Sequence, residues 1–128
     1  MNGSVIDTNV IIRMLKGDKT AVEMLDNIEN AFVPIVVVGE LFYGAYKSAC
    51  KDDNMALFTA VLSTFEILPA DEATAVSYAL IKTDLIKNGI QIPENDLWIA
   101  AAAHAKNLSL ATFDSHFENI SRIKIIRT

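Results

Sequence analysis

The sequence predicts an α/β protein of the three-layer α/β/α kind, with a central, mainly parallel sheet. Three observations lead there. Short apolar stretches of strand length alternate with longer stretches of helical periodicity, the pattern of a parallel sheet covered on both faces. The chain has 128 residues, of which 52% are hydrophobic, enough for one buried core and one domain spanning 1–128. No linker, repeat or charge block divides it.

Taken in order, Ser4–Asp7 opens the chain as a short buried strand, and Thr8–Lys16 follows as a helix ended by Gly17. Lys19–Asn27 reads as an amphipathic helix with Val22, Leu25 and Ile28 on its apolar side. Ala31–Val33 is a short strand punctuated by Pro34. Ile35–Ala49 reads as a largely buried helix; the β-branched run Ile35–Val38 would also suit a strand, but Glu40, Leu41, Tyr43, Gly44 and Lys47 recur at helical spacing. Asn54–Phe65 is a further helix and Glu66–Leu68 a strand. Asp71 is an N-cap for a long helix to about Asn88, closed by Gly89. Pro93–Lys106 is an alanine-rich helix, Ser109–Thr112 a strand, Ser115–Asn119 a short helix and Lys124–Arg127 the last strand.

Composition narrows the function. A single cysteine, Cys50, excludes a disulfide framework and a zinc site built from several cysteines, and suits a reducing, cytoplasmic setting. Neither a signal peptide nor a membrane span is expected from the N-terminal pattern. The mean hydropathy of +0.30 is far from that of a disordered chain. With 16 acidic against 11 basic residues the net charge is −5, which argues against a module that coats nucleic acid by charge alone. An acidic site that handles phosphates through a bound cation is not.

Most of the acids have polar neighbours and suit a solvated surface: Glu23, Asp26, Glu29, Asp52, Asp53 and Glu118. Four do not. Asp7 ends the apolar pair Val5–Ile6 and begins a helix, where an N-cap role competes with any chemical one. Asp114 follows Leu110–Ala111–Thr112 in the same strand-then-acid setting. In an open parallel sheet, ligands collect at the carboxyl ends of strands, so these two acids would face one crevice. Glu40 stands inside PIVVVGELFYGAY, with pairing to Lys47 or simple exposure as its bland alternatives. Asp96 precedes LWIAAAAHA, and since Glu94 or Asn95 could cap that helix, Asp96 is left free for another task. Clustered carboxylates repel one another at low dielectric and need a hard cation to be tolerable. Oxygen ligation without His or Cys suits magnesium or manganese, and ions of that kind activate water for in-line displacement at phosphorus. The chemistry indicated is phosphodiester hydrolysis.

The segments SVIDTNV (4–10), VGELFYGA (38–45), NDLWIAAAA (95–103) and LATFDSHF (110–117) resemble the PIN-domain nucleases. More narrowly, they are similar to the VapC-type toxins of prokaryotic toxin–antitoxin pairs. The resemblance runs nearly the whole chain. It implies a small α/β/α domain with metal-dependent ribonuclease activity on an RNA substrate, magnesium at the site, a homodimer, and a cognate antitoxin that holds it inactive. It implies that Asp7, Glu40, Asp96 and Asp114 are the acidic constellation, that Asp7 and Asp96 are direct ligands, and that Thr112 is a supporting hydroxyl. Two departures stand out: Val36 and Val37 occupy positions where the family often has a hydroxyl, and Phe113 sits where a polar residue is common.

Other residues are left in ordinary roles. His104 suits packing or surface and His116 the rim of the crevice, neither as a catalytic base. Cys50 is a helix-end residue, and Trp98 and Tyr43 suit core or interface. Among Arg13, Lys47, Lys82, Lys87 and Lys106, Arg13 and Lys47 lie one or two helical turns beyond motif acids and suit phosphate contact at the site mouth. Two rival functions stay open at this point: a PIN-like binding module without nuclease activity, and a different phosphate enzyme, such as a phosphatase.

Overall fold

A computed structural model describes residues 3–126 of the chain. Five short strands form one sheet: β1 (Ser4–Ile6), β2 (Ala31–Pro34), β3 (Glu66–Leu68), β4 (Ser109–Ala111) and β5 (Ile125–Ile126). Their spatial order is β3-β2-β1-β4-β5, and all four pairings are parallel. The expected parallel sheet is therefore present.

Six α-helices connect the strands among the described residues: α1 (Thr8–Leu15), α2 (Lys19–Asp26), α3 (Ile35–Tyr46), α4 (Lys51–Leu62), α5 (Glu72–Lys87) and α6 (Glu94–Ala105). A 3₁₀ turn spans Ser115–Asn119. Helix α5 packs on α6, α3 on α4, and α6 lies over β1 and β4. The alanines make that approach close: Ala100, Ala101 and Ala103 are fully buried, and a methyl side chain lets a helix axis come near its neighbours.

The element boundaries differ from the sequence reading in particular places. Helix α3 stops at Tyr46, and α4 starts at Lys51, just after Cys50 at its N-cap position, earlier than the expected Asn54. Asp52 and Asp53 thus occupy the first turn of α4, where negative charge is favourable. On α2 the inward side is Ala21 and Met24, with Leu25 and Ile28 partly buried, while Val22 is exposed. Ala21, Met24, Leu25 and Ile28 keep the i, i+3, i+4, i+7 spacing of one helix face, and Val22 falls outside it. The expected last strand runs to Arg127, which lies outside the described residues. Asp71 caps α5 through its side chain, accepting from the Thr74 N–H at 3.0 Å, and Gly89 at φ +70° closes that helix, both as the sequence indicates.

Strand β1 is the centre of the core. Val5 and Ile6 are inaccessible to solvent, as are Val10 and Ile11 on the following helix. Its neighbours are β2 on one side and β4 on the other, with Val5 opposite Phe32 and Leu110. The connection leaving β1 goes to β2, whereas β4 enters the sheet from the other half of the chain. This reversal is the topological switch point of an open α/β sheet, and the crevice at the carboxyl ends of β1 and β4 is where such folds bind ligands.

Candidate acidic site at the switch point

Asp7 follows β1 directly, and its backbone N–H donates to the Ala111 carbonyl at 3.0 Å, so the chain leaves both central strands side by side. The N-cap reading of Asp7 is borne out, and the cap leaves one carboxylate oxygen for another partner. Asp7 is the N-cap of α1, with Oδ1 accepting from the Thr8 N–H at 2.7 Å, and its other oxygen points across the sheet to Thr112. Only 5% of its surface is exposed.

Asp114 comes off the end of β4 and caps the 3₁₀ turn through the His116 N–H. Thr112 joins the two acids. Its hydroxyl donates to Asp7 Oδ2 at 2.6 Å and accepts from the Asp114 N–H at 3.0 Å. One buried hydroxyl therefore uses its proton on one acid and a lone pair on the backbone of the other.

Glu40 enters from α3 and Asp96 from the first turn of α6. Glu40 does not pair with Lys47. Its Oε1 accepts from the Thr8 hydroxyl at 2.7 Å, and Asn95 Nδ2 lies 3.5 Å from Oε2. The Lys47 ammonium instead stands 5.0 Å from the Tyr43 ring centre. Nor do Glu94 and Asn95 cap α6: the N-cap is Pro93, which has no capping side chain, and Glu94 turns to the Tyr78 hydroxyl and Lys82.

Asp7, Glu40, Asp96 and Asp114 line one crevice of about 470 Å³, together with Thr8, Asn9, Ile12, Arg13 and Lys16. Four acids from four elements thus meet. The electrostatic consequences are visible in two of them. Burial pushes the Asp7 carboxyl up to about 6, with Asp96 and Glu40 raising it further and the Thr112 and Thr8 hydrogen bonds opposing the rise. Asp96 is raised too, first by burial and then by the Asp114 and Glu40 charges, with His116 acting against them.

The donor set suits a divalent cation. One ligand atom each from Asp96, Asp114 and His116 lies within 4.8 Å of the others, a spread that a single ion can bridge. His116 Nδ1 is 3.2 Å from Asp114 Oδ1 and 3.5 Å from Asp96 Oδ2. The histidine therefore stands beside the acids at the crevice rim, where the sequence reading put it. Asp7 and Glu40 line the same crevice outside this tightest group.

Three side chains in this site escaped the sequence reading: Thr8, Asn9 and Asn95. Asn9 Oδ1 accepts from the Phe113 N–H at 3.2 Å and so holds the loop that carries Asp114. The available signal was adjacency, because each stands within two residues of a motif acid. Phe113 itself supports the Arg13 guanidinium, 4.2 Å from its ring centre, which keeps that cation at the crevice rim. Tyr43 is 66% exposed and so is not a core residue. Trp98 stacks on Tyr78, with ring centres 4.1 Å apart. His104 is partly buried and shares a 2.7 Å hydrogen bond with Ser77, well away from the acids.

Replacing Thr112 by Val should leave an oxygen of Asp7 and the Asp114 N–H without their partner. The expected cost is about 1–3 kcal/mol of stability, with a fall in any activity of the site of about 10–100-fold. Thr112→Ser should keep most of both. A thermal melt and a rate measurement on the two variants check this; equal behaviour of Val and Ser would show that the hydroxyl does not organise the acids.

Residues 4–123 match the family model described as PIN domain. The chain is 33% identical to Ribonuclease VapC2 of Haemophilus influenzae over 97% of its own length and 94% of that protein. It is 28% identical to the tRNA(fMet)-specific endonuclease VapC of Shigella flexneri, covering 94% and 93% of the two chains. Among solved structures, the DNA-bound VapBC of Salmonella typhimurium superposes with a TM-score of 0.90 at 27% identity, over 98% of both chains.

Proposed function

This chain belongs to the PIN-domain family, and from that membership we propose that it is a metal-dependent endoribonuclease acting as the toxin of a toxin–antitoxin pair in the cytoplasm. The whole of 1–128 serves as one nuclease domain. The observation that carries this reading is the meeting of Asp7, Glu40, Asp96 and Asp114 in a single crevice at the switch point of the sheet. The ribonuclease names of its relatives support the substrate, and the VapBC structures support the antitoxin.

Asp7, Glu40, Asp96 and Asp114 would hold magnesium, or manganese, with Asp7 and Asp96 as direct ligands and the His116 ring nitrogen close to Asp96 and Asp114. When bound, the ion supplies Lewis-acid activation of water and neutralises charge at the scissile phosphate. The chain's own groups do the positioning. Thr112 keeps Asp7 and Asp114 in register, Thr8 aims Glu40, and Asn9 anchors the Asp114 loop. Arg13 and Lys16 at the rim offset the phosphate charge of an approaching strand.

An antitoxin segment entering this crevice would place an arginine against the carboxylates, a strong bidentate pairing. The protein works as a homodimer, for which the exposed Tyr46 of α3 and Leu57 of α4 offer apolar surface.

The test is incubation of the purified protein with total cellular RNA, with and without magnesium, followed by mapping of the cut ends. Defined cuts that need magnesium are expected. RNA left intact at millimolar magnesium would overturn the nuclease reading in favour of a binding role, and preferential hydrolysis of a small phosphomonoester would indicate a phosphatase.

A further inference from the structure

A second cavity adjoins the acidic crevice. It measures about 630 Å³ and is lined by Thr8, Val36, Gly39, Glu40, Tyr43, Gly44, Lys47 and Asn95. Thr8 and Glu40 belong to both cavities, so the two form one continuous surface. Its floor is the outer side of α3. Val37, Leu41 and Ala45 face the core, and Gly39, Tyr43 and Lys47 lie on the opposite face.

The two glycines are unexpected inside a helix, because glycine is the poorest helix former after proline. Packing does not call for them. A β-carbon built on Gly39 or Gly44 meets nothing within 4 Å. Their effect is to leave the groove open beside Glu40. Tyr43 stands over that groove, 66% exposed, with the Lys47 ammonium 5.0 Å from its ring centre. An exposed aromatic ring beside a cation, continuous with a phosphate-cleaving site, is the arrangement that grips unpaired nucleotides: the ring stacks a base and the cation meets the backbone. In a chain of net charge −5, such local cations must supply the attraction for RNA.

We propose that this α3 groove is the subsite for the nucleotide next to the scissile phosphate, with its base stacked on Tyr43 and its phosphate facing Lys47. The assignment rests on the ribonuclease reading above and narrows it to RNA that is single-stranded at the cut. A base-paired strand keeps its bases stacked on one another and cannot give one to Tyr43.

Gly44→Leu is the sharpest test. It adds a better helix former where a β-carbon meets nothing within 4 Å, so the melting temperature should hold or rise, while the side chain blocks the groove. Cleavage of a single-stranded oligoribonucleotide should fall at least tenfold. Tyr43→Ala should raise KM about tenfold with little change in kcat, and Tyr43→Phe should restore it. In a cleavage-silenced Asp96→Asn background, fluorescence anisotropy should show the single strand binding more tightly than the duplex of the same sequence. Unchanged cleavage by Gly44→Leu and Tyr43→Ala would overturn the subsite, as would equal binding of single strand and duplex. If both variants cut RNA normally but escape inhibition by the antitoxin, the groove is a protein-docking face and the proposal fails. Absence of any RNA cleavage by the wild-type protein would instead sink the ribonuclease reading itself, so the two failures are distinguishable.

Discussion

Asp96→Asn should reduce magnesium-dependent RNA cleavage by on the order of 1,000-fold while leaving the fold intact. Asp96 lies in the first turn of α6, half-buried, and faces Asp114 and His116 rather than the core. It caps nothing, since the N-cap of α6 is Pro93. Asparagine keeps its size and one carbonyl oxygen but removes the charge that attracts a divalent ion. Circular dichroism and the melting temperature should therefore match the wild type, while the cut ends disappear. Full activity in a purified, folded Asp96→Asn protein would refute the role assigned to this residue.

The second large effect is on stability. Without metal, the protein should become less stable as the pH rises from about 4 to about 6. Asp7 carries the reason: its carboxyl is raised from 3.8 to about 6, first by burial and then by Asp96 and Glu40. In that window the folded chain holds a proton on Asp7 that the unfolded chain has released. Stability therefore falls with rising pH, and the penalty is complete above about 6. A shift of that size corresponds to roughly 3 kcal/mol, or about 10 °C in melting temperature for a domain of this size. Asp96, shifted the same way, adds to the slope.

Asp7→Asn should flatten the profile and raise the melting temperature at pH 7. Asparagine can still accept from the Thr8 N–H, and its amide can meet the Thr112 hydroxyl oxygen. Magnesium should stabilise the wild type above pH 6 and stabilise the variant less, because binding to the folded state alone shifts the equilibrium. Thermal melts from pH 4 to 8, with and without magnesium, check all three expectations. A variant that melts lower than the wild type at pH 7 would show that the cap outweighs the relief of repulsion.

Much of the fold was legible in local pattern. The strand Glu66–Leu68, the capped helix α5 and the short turn at Ser115–Asn119 all stand where periodicity and capping residues put them. The start of α4 was less legible, because Lys51, Asp52 and Asp53 carry no apolar period; the two aspartates suit the first turn by their charge. On α2, hydropathy ranks Val22 above Ala21, but the face shared by Met24, Leu25 and Ile28 passes through Ala21 at helical spacing.

The site divides along the same line. Each of the four acids could be singled out because a carboxylate in apolar sequence is costly wherever that sequence folds. Their companions could not. Thr8, Asn9 and Asn95 are ordinary polar residues until the chain brings them to Glu40 and Phe113. The acids announced themselves through local composition, which is a property of neighbours along the chain. That Asp7 and Thr112, 105 residues apart, share one hydrogen bond was settled only when β4 took its place beside β1. Strand order, side-chain partners and the groove beside Glu40 depend on packing between distant segments, and no stretch of sequence carries that information alone.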